Sequence, residues 1–346
     1  MFQKYVVLAF CIYLSRIAFA SEADVLASLK YEKIPLEAQL LRGEELINYL
    51  KTNQNFFEAA ITPQSYNFKR NLMDRRFIKH NRKPIVEDVN DDGDDIPESF
   101  DARTHWPNCS SLTHIRDQAD CGSCWAVSTA SALSDRICIA SKGAKQVYVS
   151  ATDILSCCHS CGDGCDGGYV IDAFKFFAEQ GAVTGGDYGA KDCCRPYPFH
   201  PCGHHENQTY YGECLGYEDT PKCQRKCQKS YNKSYRRDRM RGKDAYDVPQ
   251  SVKAIQREIM THGPVVTGII VYEDLVYYEK GIYKHTAGAE TGGHAVKIIG
   301  WGTENGVPYW LIANSMNYDW GENGYFRMIR GINDCEIEQY VVAGHV

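Results

Sequence analysis

Apolar residues crowd one short run near the start of the chain, Tyr5 to Leu14, behind Lys4 and ahead of the small residues Ala18-Phe19-Ala20. That order predicts a secretory leader over residues 1–20, and the run is too short to cross a bilayer. No later stretch is long and apolar enough to do so. Residues 21–95 are polar and hold no cysteine. Within them LEAQLLRGEELINYLK carries Leu40, Leu41, Ile47 and Leu50 at helical spacing, which predicts an amphipathic helix. The region closes with EDVNDDGDD, Glu87 to Asp95, an exposed linker open to proteolysis, so 21–95 reads as a removable prosegment. From Ile96 to about residue 245 helices are predicted through Cys124, Ala130, Leu133 and Ile137 toward Gly143, and over GYVIDAFKFFAEQG up to Gly181. Beyond Val248 one helical pattern, VPQSVKAIQREIMTHG, precedes the strand-like runs VVTGIIV, HAVKIIGWG, VPYWLIANS and YFRMIR. A helical lobe followed by a mainly β lobe is an α+β chain with a cleft between the two.

Cysteine usage sharpens this picture. Of the 16 cysteines, Cys11 leaves with the leader; on an oxidising route most of the others pair, and their odd number leaves at least one thiol over. A formal charge of −6 without a basic stripe beyond YRRDRMR argues against nucleic acid as the partner. There is no internal repeat.

The candidate nucleophile lies in DQADCGSCWAVS, Asp117 to Ser128. By spacing alone, Cys121 and Cys124 fit half a zinc site, a redox pair, or a disulfide cysteine beside a catalytic one. The cluster CCHSCGDGC admits a zinc reading too, although a secretory leader favours disulfides. Cys124 opens a helix, where the dipole and free N–H groups favour a thiolate. Gln118 offers an amide to a developing oxyanion. His294 in GGHAV can carry the proton, and Asn314 in YWLIANS can orient the imidazole.

Together these residues resemble the papain-like cysteine proteases. C-G-S-C-W at Cys121–Trp125, with His and Asn far downstream in that order, is that family's local signature. The likeness runs from the prosegment through SFDAR (Ser99–Arg103) and CCHSCGDGCDGG to NYDWGENGYFRM. More narrowly, the chain resembles the cathepsin B subgroup, including the cathepsin B-like gut proteases of parasitic worms. The resemblance implies a two-lobed fold, a helical lobe and a β-barrel-like lobe, over a mature domain of 96–346. It assigns Cys124 as nucleophile, His294 as general base and later acid, Asn314 as the orienting amide and Gln118 as oxyanion donor. It also implies the bridges Cys109–Cys138, Cys121–Cys165, Cys157–Cys223, Cys158–Cys161, Cys194–Cys227 and Cys202–Cys214, with Cys193 and Cys335 left as free thiols. Gly167, Gly168 and Gly293 match the backbone edges that hold an extended substrate. The implied protein is a secreted or lysosomal monomer without cofactor or metal, acting on proteins and peptides away from membranes. Its own propeptide and cystatin-like proteins are the implied inhibitors. Three sequons, at Asn108, Asn207 and Asn232, allow N-glycans.

The subgroup reading rests on an insertion. Cys124 and His294 stand 170 positions apart, against about 130–150 in typical members. The surplus, CGHHENQTYYGEC within about 194–227, resembles the occluding loop of cathepsin B, where His204 and His205 match the pair that receives a substrate's C-terminal carboxylate. Asp117 matches the acid that ties down the first histidine. The family's arginine that pins the loop to the position of Asp319 is missing, which predicts a looser loop. Two further departures are Met316, where the family has a tryptophan over the Asn–His pair, and Tyr340, where cathepsin B has a glutamate at the base of the pocket for the second residue before the cut. Tyr340 predicts an apolar preference there, and Met316 raises the alternative of a catalytically impaired homologue acting as a binding protein.

Overall fold

The first packed helix owes its place to Leu46, Ile47 and Leu50, which share one face of α1 (Gly43–Asn53) and are all buried. The computed structural model describes residues 22–30, 32–78, 85 and 96–346; the expected leader and the run Glu87–Asp95 lie outside them. The single helix expected over Leu36–Lys51 is in fact two: a turn over Leu36–Gln39, then α1. Gly43 adopts a φ of +54°, outside right-handed helix space, and Leu40 is left 68% exposed. β1 (Phe57–Ala59) follows, then α2 (Pro63–Phe68), whose start is closed by a Thr62–Ser65 capping box with Pro63 in the first turn.

The short β2 (Phe100–Asp101) crosses to the later strands before the helical part begins. Its centre is α3 (Cys124–Ala140), buried continuously from Cys124 to Cys138, because α4 (Ala151–Cys157), α5 (Val170–Glu179) and the sheet all pack against it. Six disulfides stitch this region: Cys109–Cys138, Cys121–Cys165, Cys157–Cys223, Cys158–Cys161, Cys194–Cys227 and Cys202–Cys214. Cys124, Cys193 and Cys335 remain free and buried.

The last part contains β3 (Tyr246–Asp247), α6 (Val252–His262), β4 (Val265–Tyr272), β5 (Tyr278–Tyr283), β6 (Glu290–Glu304), β7 (Val307–Ala313), β8 (Tyr325–Ile329) and β9 (Val342–Ala343). The strands run in the order β1-β5-β8-β7-β6-β4-β9-β3, with β2 added on β6. All pairs are antiparallel except β5–β8. Seven of the eight residues of β4 are buried, so it reads as a continuous apolar run instead of alternating. The N-terminal segment joins both cores: Leu46, Leu50, Phe57, Phe68 and Leu72 enter that of the β part, and Met73, Phe77 and Ile78 enter that of the helical part.

Candidate active site

Cys124 is the first residue of α3, and the tight turn before it is held by Ser123 N donating to Cys121 O at 2.7 Å. Gly122 must be glycine: a Cβ there would lie 2.3 Å from Cys165 O and 2.8 Å from Leu72 O. Backbone N–H groups of Ala295, Trp125, Cys124 and Met73 point at the thiol, yet burial outweighs them and pushes it up to about 12.

β6 brings His294 to the same place, opposite Ile269 of β4. Its Nε2–H donates to Asn314 Oδ1 at 2.7 Å, an acceptor that Ser315 N also holds at 2.8 Å. Nδ1 is buried with no protein hydrogen bond, which leaves it as the nitrogen that can exchange a proton with a thiol. Burial lowers this imidazole to about 4 and the Asn314 bond opposes that only in part. In this state burial therefore disfavours the charged form of both groups.

Gln118 is fully buried and its amide is fixed at both ends. Oε1 accepts from Ser315 Oγ at 2.6 Å, and Nε2 donates to Cys121 O at 2.8 Å and to Asn71 O at 2.7 Å. A carbonyl of the N-terminal segment thus sits on the donor expected to receive an oxyanion. The segment continues with Met73 pairing both ways with Gly293 at 2.9 Å and Asp74 N donating to Asp166 O at 2.9 Å. Gly167 admits Phe77 and Met73, whose atoms come within 2.4 and 2.9 Å of where its Cβ would be, while Gly168 faces Trp125. Phe77 and Ile78 cover Tyr340, Tyr169 and Gly268, leaving a cavity of about 20 Å3. Glu338 faces away from this pocket and accepts from Trp310 Nε1 and the Gly331 and Asn333 N–H groups.

The loop histidines differ from expectation. Asp117 lies 3.6 Å from His205 Nε2, not on His204, and His205 Nδ1 is 2.9 Å from Asp319. His204 is exposed and stacks on Tyr210 with centroids 4.0 Å apart. The physical reason is the missing arginine: Asp319 is free to take the second imidazole, and Gln64 Nε2 donates to the same carboxylate at 2.7 Å. Met316 is buried and forms a bridge with Asp117, while Phe68 lies 6.3 Å from the His294 ring and 5.7 Å from Trp320. Aromatic cover over His294 thus comes from α2. The roles of Ser315, Phe68 and Phe77 were not legible in the sequence; only NYDWG, next to Asn314, hinted at Trp320.

Residues 96–345 match the family model described as papain family cysteine protease. The chain belongs to that family. It is 58% identical over 348 residues to cathepsin B-like cysteine proteinase 1 of Ostertagia ostertagi, covering 99% of this chain and 100% of that one. A Haemonchus contortus protein of the same name is 56% identical, covering 99% of this chain and 98% of its own. Among solved structures, proCathepsin B S9 from Trypanosoma congolense superposes with a TM-score of 0.72 at 35% identity, over 88% of this chain and 97% of its own. The chain is a cysteine protease of the cathepsin B-like branch with the papain α+β fold, made as a zymogen. The reading of an impaired binding protein finds no support, and Met316 leaves the His294–Asn314 bond intact.

Proposed function

We propose that the mature domain, beginning near Ile96, hydrolyses peptide bonds within proteins and also removes dipeptides from their C-termini. The observation that carries this reading is Gln118 Nε2 donating to a backbone carbonyl beside Cys124 and the His294–Asn314 pair. In the free enzyme His294 Nδ1 holds the thiol's proton. The sulfur attacks the substrate carbonyl carbon, Gln118 steadies the oxyanion, and the proton passes to the leaving amine as the C–N bond breaks. Water then attacks the thioester, giving a proton back through the imidazole, and the acid and the thiol are regenerated.

Residues 21–95 form the prosegment, and its part up to Ile78 fills the cleft until a cut in the acidic run releases it. Tyr340 favours an apolar residue second before the cut, the position Phe77 imitates. His205, with His204 free to turn from Tyr210, receives a substrate's carboxylate. The leader directs the chain to the secretory pathway, for lysosomal or extracellular use, and Asn108, Asn207 and Asn232 are exposed glycosylation sites. Cys124→Ala, processed to mature length, tests the assignment: it should fold and cleave no peptide. Cleavage by that variant at the wild-type rate would end the reading.

A further inference from the structure

The stretch KRNLMDRR, Lys69 to Arg76, threads the cleft, and each of its four basic residues meets an acid of the mature domain. Lys69 lies 2.6 Å from Glu273, Arg70 3.2 Å from Asp120, Arg75 2.6 Å from Glu290 and Arg76 2.5 Å from Asp163. Asp120 is the unusual member. Its side chain is fully buried, neither oxygen accepts a hydrogen bond, and it lines a cavity shared with His205, Met316 and Trp320. A buried carboxylate held only by an ion pair is left uncompensated when its cation departs. Removal of the prosegment takes Arg70 away from this acid. Asp163 stands at the other end, next to Gly162, where an added Cβ would come 3.0 Å from Phe77 Cε1.

We propose that the mature enzyme selects basic protein segments, with Asp120 receiving a Lys or Arg on the leaving-group side of the cut and Asp163 receiving one on the acyl side beyond the apolar pocket. The prosegment displays the geometry: a guanidinium already reaches each carboxylate, and Arg70 and Arg76 bracket the residues lying over Cys124. This rests on the thiol-protease reading and adds the substrate's charge to it.

The test uses mature enzyme and internally quenched peptides with Phe second before the cut, differing only by Arg, Gln or Glu at one flanking position. At low salt the wild type should cleave Arg peptides roughly five- to tenfold faster than Gln peptides on both sides, with Glu slowest, and added salt should shrink the ratio. Asp120→Asn should bring the Arg:Gln ratio toward one on the leaving-group side while the acyl-side ratio persists. Asp163→Asn, at an exposed residue, should do the reverse, so each variant controls for misfolding of the other. Equal cleavage of Arg and Gln peptides by the wild type overturns the proposal and leaves the protease reading standing, and so does a ratio that survives both substitutions. Failure to cleave any peptide sinks both.

Discussion

His294, buried, and His205, half-buried, are two imidazoles on the same cleft whose partners differ by charge. His294 meets the neutral amide of Asn314, so burial wins and its pKa falls to about 4. His205 is also pulled down by burial, but the Asp319 hydrogen bond and the charges of Asp117 and Asp319 outweigh that and hold it above its ordinary value. An amide orients a ring without making it a stronger base; a carboxylate does both. The first arrangement suits a group that must pass its proton on, and the second suits one that must stay charged.

The largest effect that tests this contrast is removal of the first ring. His294→Ala should lower kcat/KM for end-blocked peptides by about 10^2 to 10^4, measured on mature enzyme. A smaller loss than for His205→Ala would reverse the assignment of roles.

Next, Asn314→Ala leaves the ring N–H unsatisfied, worth about 1–3 kcal/mol, so kcat/KM should fall roughly tenfold to a hundredfold. Asn314→Asp should make His294 resemble His205: the charged partner favours the imidazolium that must protonate the leaving amine, and the alkaline limb of the pH–rate profile should move upward. No movement of that limb would break the comparison.

The third effect is one of pH. Because His205 is raised in the folded loop, its ion pair is fully present below the unfolded value near ~6.5 and is lost as pH rises through the higher folded value. Dipeptide release relative to cleavage of end-blocked peptides should therefore be greatest in mild acid and decline above neutrality. Asp319→Asn should move that decline to lower pH, and a ratio flat from pH 5 to 8 in the wild type would count against the clamp.

The smallest effect concerns the pocket below Phe77. Tyr340→Glu supplies a charge where the wild type has a phenol, and should raise the Arg:Phe preference at the second residue before the cut by about tenfold, or ~1.4 kcal/mol. An unchanged preference would mean that position 340 does not reach the substrate.

Local order along the chain determined much of this protein. A cysteine opening a helix, a glycine turn before it, a histidine on one strand and an asparagine just past the end of the next, and the apolar runs of β4, β6, β7 and β8 depend on neighbours a few residues away, so they were legible in the residues themselves. Even the break before α1 had a local signal in Gly43. Recognition of the family supplied the cysteine pairing, which spacing alone leaves open. Contacts between distant residues were decided by the tertiary structure. His205 and Asp319 are 114 positions apart, and nothing local says that the second histidine of the pair would take the carboxylate. Likewise Asn71 on Gln118, Phe68 over His294, and Arg70 on Asp120 exist only because the prosegment is laid through the cleft. Charge, burial and hydrogen bonding act through space, and only the fold converts sequence separation into distance.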